Sequence, residues 1–422
     1  MGVPTNYINS SGVDIGIPLV PKSYLIDRYP ELADTFKQAG LWNWGGNTVG
    51  ALGDNTTAAK SSPIQTISGG TNWKQVSVGS NSFGAAIKTD GTLWTWGNWS
   101  GLGDNTMVNK SSPVQTIAGG TNWKQVACTA SNTASIKTDG TLWIWGANGN
   151  GEVGDNTNGT NRLSPVQTIS GGTNWKYVAS GSGNHRAAIK TDGRLWLWGS
   201  NAAGCLGISG IGQVSSPVQT VSGGTNWKQV TCGDLTTAAI KTDGTLWTWG
   251  LNNYGQLGDN TITNVSSPIQ TIASGTNWKQ VSCGRYHTGA IKTDGTLWLW
   301  GRNFDQFFTG PPLFLLIDTV EGRIGSGVQI LRYSSPVQTI SGGTNWKLVT
   351  CANYSTSAIK TDGTLWTWGG NDSGQLGNNS IIKVSSPIQT VAGGTNWKQV
   401  DTGGSTCASI QDNSSDMFGN PL

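Results

Sequence analysis

The chain has 422 residues, of which only 12% are charged, and its formal net charge is +3. The small charge excess argues against intrinsic disorder, and the small net charge argues against a nucleic-acid-binding protein. No apolar run is long enough to span a membrane, and residues 1–25 lack the basic start and apolar stretch of a secretory signal.

The first 40 residues precede the repeats and form a separate N-terminal segment. Residues 30–40 predict one short helix, because Pro30 stands in its first turn, acidic residues come early and Gly40 provides the stop. Two uses of this segment stay open. It packs against the rim of the main domain, or its extended residues 1–22 dock onto a partner protein.

From residue 41 onward the sequence repeats. Leu-Trp-x-Trp-Gly and Thr-Asn-Trp-Lys each occur seven times and together contain every one of the 22 tryptophans except Trp99. Successive Leu-Trp starts lie 52, 49, 53, 51, 51 and 68 residues apart. A period near 51 with frequent turn signals and no helical periodicity indicates the blades of a β-propeller. The paired tryptophans, which we predict to be structural core residues, are Trp42, Trp44, Trp94, Trp96, Trp143, Trp145, Trp196, Trp198, Trp247, Trp249, Trp298, Trp300, Trp366 and Trp368.

Each repeat predicts four short strands. Asp-Gly between two apolar runs, as at Asp90-Gly91, predicts a hairpin with a type I′ turn. Strands around Pro-Val-Gln-Thr-Ile and Trp-Lys-Gln-Val come before the hairpin. The Gly/Asn-rich stretch after Trp-Gly is expected to connect to the next unit. These stretches vary most between copies, and variation on a constant frame indicates a recognition surface.

The two ends of the repeat region complement each other. The first copy, residues 41–45, lacks an Asp-Gly hairpin partner, and the last copy, ending at Asp412, lacks a Leu-Trp strand. Joining them gives one composite blade that closes a ring without an exposed sheet edge. We therefore predict an all-β, seven-bladed β-propeller over residues 41–412, followed by a tail of residues 413–422.

One copy carries an insertion at about residues 302–332. From Gly301 to Ser334 is 33 positions, whereas the equivalent step from Gly250 to Ser266 is 16. The insertion contains four of the chain's seven phenylalanines, and a loop with this many apolar residues either folds back onto the blade edge or is buried against another chain. For the second alternative, the candidate interaction residues are Phe304, Phe307, Phe308, Phe314, Leu315 and Leu316.

Several motifs give the repeat a family resemblance. The stretch from Cys283 to Thr288, the Asp-Gly hairpin, the following Trp-Gly-x-Asn and the Gly-Gln-Leu-Gly at 255–258 are similar to the repeat of the regulator of chromosome condensation family. The resemblance covers residues 41–412 and implies a seven-bladed propeller. Founding members act as exchange factors for a small GTPase on chromatin, but loops on one face carry that activity and the fold alone does not transfer it.

A second resemblance is narrower. The near identity of the copies, and an entry segment such as residues 24–30, resemble repeat proteins encoded by bacteriophages of aquatic bacteria. This resemblance implies a component of the virion that is displayed on the particle.

The motifs do not indicate catalysis, a cofactor or a metal. His185 and His287 occupy equivalent repeat positions where other copies have Phe, Asn, Thr or Ser, which indicates structural turn residues. The cysteines suit small buried hydrophobes, and the repeated lysines are balanced by the hairpin aspartates. One loop aspartate per repeat spreads carboxylates around the ring and predicts Asx turns rather than calcium ligands. These aspartates are Asp54, Asp104, Asp155 and Asp259.

Together these patterns lead us to expect a non-enzymatic structural or adhesion protein of a phage particle, such as a tail, fibre or capsid-associated component. It would assemble in the host cytoplasm, be located in the virion, and bind other virion proteins or a host surface receptor. We expect no nucleic acid and no membrane insertion, and self-association stays open. The alternatives are a bacterial protein-interaction module, a lectin-like propeller and, last, a small-GTPase exchange factor.

Overall fold

A computed structural model describes residues 38–67, 70, 72–179, 181–208, 212–273, 275–304, 306–309, 314–317, 322–326 and 330–413. These residues form seven four-stranded antiparallel sheets and one separate two-stranded sheet. The seven sheets are the seven blades of the predicted propeller, so the fold class is confirmed.

Every blade contains four strands, numbered here in chain order. The innermost strands are β3 (Trp73–Gly79), β7 (Trp123–Cys128), β11 (Trp175–Val178), β15 (Trp227–Cys232), β19 (Trp278–Cys283), β25 (Trp346–Cys351) and β29 (Trp397–Thr402). The second strands are β4 (Phe83–Lys88), β8 (Asn132–Lys137), β12 (His185–Lys190), β16 (Thr236–Lys241), β20 (His287–Lys292), β26 (Ser355–Lys360) and β30 (Thr406–Asn413). The third strands are β1 (Gln38–Gly45), β5 (Leu93–Gly97), β9 (Leu142–Gly146), β13 (Leu195–Gly199), β17 (Leu246–Gly250), β21 (Leu297–Arg302) and β27 (Leu365–Gly369). The outermost strands are β2 (Lys60–Gln65), β6 (Lys110–Gln115), β10 (Arg162–Gln167), β14 (Val214–Gln219), β18 (Val265–Gln270), β24 (Arg332–Gln338) and β28 (Val384–Gln389).

Blades 1 to 6 begin at β3, β7, β11, β15, β19 and β25, and blade 7 joins the two ends of the chain. Its strand order is β2-β1-β30-β29, so the N-terminal part supplies the two outer strands and the C-terminal part the two inner strands. Leu41 lies opposite Ile410 and Trp42 opposite Ser409 in this pairing. The predicted ring closure is therefore confirmed.

Three local predictions differ from the structure. The helix expected at residues 30–40 does not include its last residues, because β1 already begins at Gln38, and residues 30–37 lie outside the described part. The Gly/Asn-rich stretch does not link two units but lies within a blade, since Trp94 pairs with Gln115 across it. The blades are joined instead at the Gly-Gly turn. The sequence motifs alone do not show which neighbouring strand the Ser-Pro strand pairs with, so the pairing decides the blade boundary.

The third difference concerns the hairpin turn, which is not type I′. Gly91 has a φ of +80°, but Asp90 is not left-handed, and the Gly91 N–H donates to the Lys88 carbonyl at 3.0 Å. This pattern is that of a type I turn followed by a left-handed glycine, which also matches the twist of the flanking strands. Asp90 Oδ1 accepts from the N–H and hydroxyl of Thr92 at 2.9 and 2.7 Å, which fixes the turn.

The core lies between neighbouring blades and is rich in tryptophan. The second tryptophan of each Leu-Trp-x-Trp-Gly motif is 0% exposed, as at Trp96 and Trp145, while the first, as at Trp94, is only partly buried. Trp145 also packs edge-to-face on Trp123, with ring centroids 6.3 Å apart. All fourteen paired tryptophans therefore contact the core, but half of them border its edge.

The hairpin tip of each of blades 1 to 6 docks onto the start of the next innermost strand. The Gly91 carbonyl accepts from the Trp123 N–H at 3.1 Å, and five equivalent bonds recur around the ring. A Cβ on Gly91 would lie 2.0 Å from the Thr121 carbonyl oxygen. Glycine is required here both by its positive φ and by the close approach of the next blade.

We expect Gly91→Ala to lower the free energy of unfolding by about 3 kcal/mol or more, because it combines backbone strain with displacement of the neighbouring blade. Gly119→Ala is the matched control, since Gly119 has a φ of +54° and no atom within 4 Å of the added Cβ. That change carries only the strain term, about 1 kcal/mol. Urea denaturation followed by tryptophan fluorescence measures both, and equal losses would contradict the docking argument.

Candidate functional site

The direction of the strands gives the disk two different faces. Turns from the first to the second strand, and both ends of the loops from the third to the fourth, lie on one side, which we call the loop face. The middle of each of these loops reaches back towards the connector, as where the Gly103 carbonyl accepts from the Ile117 N–H. Asp-Gly hairpins and the connectors between blades lie on the other side, the hairpin face. The repeats differ mainly on the loop face, so the expected recognition surface corresponds to one side of the molecule.

On the hairpin face, a lysine lies between two tryptophan rings in each of blades 1 to 6. Lys88 Nζ, for example, is 4.8 Å from the Trp73 ring centroid and 4.7 Å from that of Trp94. Trp94 Nε1 in turn donates to Thr92 Oγ1 at 2.9 Å. Such cation–π contacts hold the partly buried rings in place. The equivalent lysines are Lys137, Lys190, Lys241, Lys292 and Lys360.

The loop face carries one group of large side chains, which we call the Arg–Tyr cluster: Tyr254, Arg285, Tyr286, Arg302 and Tyr354. The rings of Tyr254 and Tyr286 meet edge-to-face with centroids 5.2 Å apart. The Arg302 guanidinium lies 4.5 Å from the Tyr254 centroid and 5.4 Å from that of Tyr286. Arg285 lies 5.0 Å from the Tyr286 centroid.

Hydrogen bonds connect this cluster across blades 4, 5 and 6. Arg285 Nε donates to Asp234 Oδ2, and its Nη1 donates to the Tyr354 hydroxyl, both at 3.3 Å. Arg302 Nη1 donates to the Tyr254 hydroxyl at 3.2 Å. The five side chains are therefore fixed at a surface where they stay half-buried. At the turn of Arg285 and Tyr286, the four blades outside the cluster have small or polar pairs: Asn81-Ser82, Ala130-Ser131, Gly183-Asn184 and Gly404-Ser405.

The insertion of blade 5 borders this cluster. It forms a separate hairpin of β22 (Gln306–Thr309) and β23 (Phe314–Ile317), in which Phe307 pairs with Leu316 and Phe308 with Leu315. Phe304 is 1% exposed and its carbonyl accepts from Arg302 Nε at 3.0 Å. Phe304 is therefore buried within the chain, which the fold-back alternative expects of it. The other five candidate interaction residues lie in the hairpin strands, where an interface role stays a prediction.

The two histidines lie between blades. His185 and His287 begin the second strands of their blades rather than lying in the turns, and they are 0% and 1% exposed. His185 Nε2 is 2.9 Å from Thr237 Oγ1, and His287 Nε2 is 2.9 Å from Thr356 Oγ1, each in the next blade. Burial lowers the pKa of both imidazoles to about 3, so both stay neutral near pH 7. Neither imidazole has a pKa close enough to 7 to serve as an efficient general acid or base at neutral pH.

The centre of the ring is a channel with a cavity of about 220 Å³. Its wall contains a repeated glutamine that joins neighbouring innermost strands. Gln75 Nε2 donates to the Val126 carbonyl at 3.0 Å, and Gln75 Oε1 accepts from the Val126 N–H at 3.0 Å. Five blades share this double bond, whereas Tyr177 and Leu348 replace the glutamine in blades 3 and 6. The side-chain amides thus pair the inner sheet edges that a propeller leaves open.

Asp401 of blade 7 is the one carboxylate among the described residues that line this channel. Its Oδ2 accepts from Ser77 Oγ at 2.8 Å and the Val78 N–H at 2.9 Å, and its Oδ1 accepts from the Thr402 N–H at 3.0 Å. Burial nevertheless raises the pKa of Asp401 to about 6, because no cation offsets the desolvation. The joint that closes the ring therefore contains a titratable acid.

The loop aspartates form the expected Asx turns. Asp54 Oδ1 accepts from the Thr56 N–H at 3.0 Å, and Asn55 between them has a φ of 60°. Within the described ranges, no group of three or more His, Cys, Asp or Glu side chains could hold a metal ion, and no helix is long and apolar enough to cross a membrane.

We expect Asp401→Asn to remove a pH dependence from the stability of the protein, because the amide cannot ionise. The folded-state pKa of Asp401, about 6, exceeds its usual 3.8, so the folded chain binds more protons between these values and its stability falls as pH rises through that window. Two pKa units correspond to a loss of about 3 kcal/mol in the stability of the natural protein, relative to the variant, as pH rises from about 4 to 7. The variant adds a constant, pH-independent cost, because both Asp401 oxygens accept from backbone N–H groups and the amide NH2 of the variant can accept from neither.

Urea denaturation at several pH values measures this difference. Asp243→Asn is the control, because hydrogen bonds from Thr245 lower the pKa of this exposed carboxyl and its loss gives no gain at pH 7.5. A pH-independent effect of Asp401→Asn would contradict the assignment.

Known proteins share this architecture. The model of the RCC1-like domain matches residues 40–409. The ultraviolet-B receptor UVR8 of Arabidopsis thaliana is 30% identical over 229 residues, which are 53% of this chain and 48% of that protein. The E3 ubiquitin-protein ligase HERC2 of Homo sapiens is 28% identical over 245 residues, which are 56% of this chain and 5% of that protein. The chain thus spans about half or less of the length of these relatives.

Solved structures agree on the fold. Prp20p from Saccharomyces cerevisiae superimposes with a TM-score of 0.74 at 18% identity, covering 91% of this chain and 93% of that one. Human WBSCR16 gives a TM-score of 0.73 at 19% identity, covering 89% and 99%. With repeats matched over nearly the whole described ring, this chain belongs to the RCC1-like domain family.

Proposed function

We propose that this chain is a non-enzymatic protein-binding module that contacts its partner through the loop face. The Arg–Tyr cluster carries the proposal. Arginine and tyrosine are enriched among the residues that dominate binding energy at protein interfaces, where they lie in rigid, partly desolvated surroundings. Here the ring contacts and the bonds to Asp234 and Tyr354 already hold these side chains, so little conformational entropy is lost when a partner binds.

The placement of the cluster supports the same function. It spans three neighbouring blades and borders the insertion, whereas the corresponding turns elsewhere carry small or polar residues. A unique patch on a repeated ring gives a partner one orientation. Among the similar structures, Prp20p is described with its binding properties to Gsp1p and histones, which is consistent with a binding role for such a ring.

The test compares the proteins that are captured from a lysate of the cells in which the chain is produced, by the immobilised full chain and by two variants. We expect the double variant Arg285→Ala/Tyr286→Ala to lose specific partners by at least about tenfold, as removal of interface hot spots does. Asn184→Ala, in the equivalent turn of blade 3, is the control and keeps them. Thermal melts check that each variant is folded. Identical capture by all three chains would refute a role for the cluster.

A more specific proposal concerns location. The nearly interchangeable repeats and their resemblance to phage-encoded repeat proteins support a structural or adhesion component of a bacteriophage particle, present in the virion and bound to other virion proteins or to a host receptor. Mass spectrometry of gradient-purified particles of the encoding phage is expected to find the chain in constant ratio to the major capsid protein. Its presence only in the unassembled fraction would contradict this location and leave the binding role intact.

A further inference from the structure

One exposed lysine per blade surrounds the channel mouth on the hairpin face. It follows the tryptophan that begins the innermost strand, and that end of the strand lies on the hairpin face. Among the described residues, only Lys398 of this set has a carboxylate within ion-pair distance, that of Asp412. The set, which we call the lysine ring, is Lys74, Lys124, Lys176, Lys228, Lys279, Lys347 and Lys398.

The described residues of the hairpin face are strongly basic as a set. Besides the lysine ring this face carries the six lysines held between tryptophans and Arg194, against seven aspartates at the hairpin tips. Among the described residues of this face, these fourteen basic and seven acidic groups leave an excess of seven positive charges. The expectation that hairpin aspartates balance the repeated lysines is therefore wrong. The aspartates are Asp90, Asp139, Asp192, Asp243, Asp294, Asp362 and Asp412.

A second ring on the same face is apolar. Each connector between blades exposes one β-branched side chain by more than half. A backbone hydrogen bond holds this residue in place, since the Ile117 N–H donates to the Gly103 carbonyl at 3.0 Å. Any residue except proline could make this bond, so it does not explain why the side chain is apolar. The set, called the apolar ring, is Ile67 (55% exposed), Ile117 (60%), Ile169 (57%), Val221 (51%), Ile272 (53%), Ile340 (60%) and Val391 (54%).

We propose that the hairpin face docks the disk onto an anionic lipid bilayer. A basic surface is attracted to anionic headgroups, and exposed apolar side chains enter the boundary between headgroups and acyl chains. Both rings are repeated in all seven blades of a closed ring, so a planar surface can meet every copy at once. This binding is peripheral, and it leaves the loop face free.

The same features argue against nucleic acid as the occupant. Phosphates would pair with the lysine ring, but a nucleic acid offers nothing to seven isolated aliphatic side chains. The partly exposed tryptophans of this face are covered by lysines, as Lys241 Nζ lies 4.1 Å from the Trp247 centroid, so they present no free ring for base stacking. An anionic bilayer can contact both sets, with its headgroups at the lysine ring and its acyl chains at the apolar ring.

The test is co-sedimentation of the full chain with unilamellar vesicles. Vesicles of phosphatidylcholine with about one-third phosphatidylserine are expected to bind the chain at low salt and to release much of it in high salt, because exposed charges are screened. Pure phosphatidylcholine vesicles are expected to bind far less. Equal binding to both compositions, or none to either, would overturn the proposal.

Three variants locate the surface. Lys124→Gln/Lys228→Gln/Lys279→Gln is expected to weaken binding on the order of 100-fold, about fivefold per lysine. Ile117→Ser/Ile169→Ser/Ile340→Ser is expected to weaken binding with little change in its salt dependence. The control, Lys60→Gln/Lys110→Gln/Lys383→Gln, removes the same charge from the start of outermost strands on the other side and is expected to bind normally.

Three outcomes contradict the proposal. Equal losses in the two lysine variants would mean that total charge, rather than the hairpin face, drives binding. Binding of a duplex DNA probe without binding of vesicles would assign the face to nucleic acid. Loss of vesicle binding in Arg285→Ala/Tyr286→Ala would place the membrane on the loop face, whereas loss of protein partners alone in that variant leaves this proposal standing.

Discussion

The ring depends on one type of hydrogen bond, which recurs between every pair of neighbouring blades. Its donor is the deeply buried second tryptophan of each Leu-Trp-x-Trp-Gly motif. Trp145 Nε1, for example, donates to the Gly101 carbonyl in the loop of the preceding blade at 2.9 Å. A buried indole N–H without a partner costs about 1–3 kcal/mol, so each blade requires its neighbour's loop in one position. The remaining six bonds are Trp44–Gln375, Trp96–Ala51, Trp198–Glu152, Trp249–Cys205, Trp300–Gln256 and Trp368–Arg323.

This bond explains which parts of the variable loops cannot vary. The acceptor is a backbone carbonyl, so the residue that supplies it is as different as Ala51, Glu152 and Arg323. The glycine two positions later is fixed, because it is left-handed and lies against the indole. A Cβ on Gly103 would come within 2.6 Å of Trp145 Nε1. Even the blade with the insertion keeps this arrangement, since Arg323 and Gly325 resume it after the extra hairpin.

The sequence predicts the number of blades and the ring closure because both follow from counting motifs. It also predicts which tryptophans contact the core. The blade boundary is different, because the strand that contains Pro-Val-Gln is joined by a short connector to the strand after it and by a long loop to the strand before it. The short connector favours pairing with the strand after it, but the hydrogen bonds, as at Trp94 opposite Gln115, pair it with the strand before. The Arg–Tyr cluster is also hidden in the sequence. Tyr254 lies far from Tyr354 in the chain, and their proximity depends on three adjacent blades packing together.

The net charge of the chain does not indicate the charge of either face, because the repeat places equivalent residues of every blade on the same side of the ring. In a blade of four antiparallel strands, the turn from the first to the second strand and the loop from the third to the fourth begin and end on one face. The Asp-Gly hairpin and the connector to the next blade lie on the other face. Any residue type that recurs in the hairpin, in the connector or at the adjoining strand end therefore appears seven times on a single face, where the opposite face cannot offset its charge. Lys74 and Ile67 are ordinary surface residues when taken alone. Repeated around a closed ring they become a basic and apolar surface, while the loops opposite are free to form a single asymmetric patch.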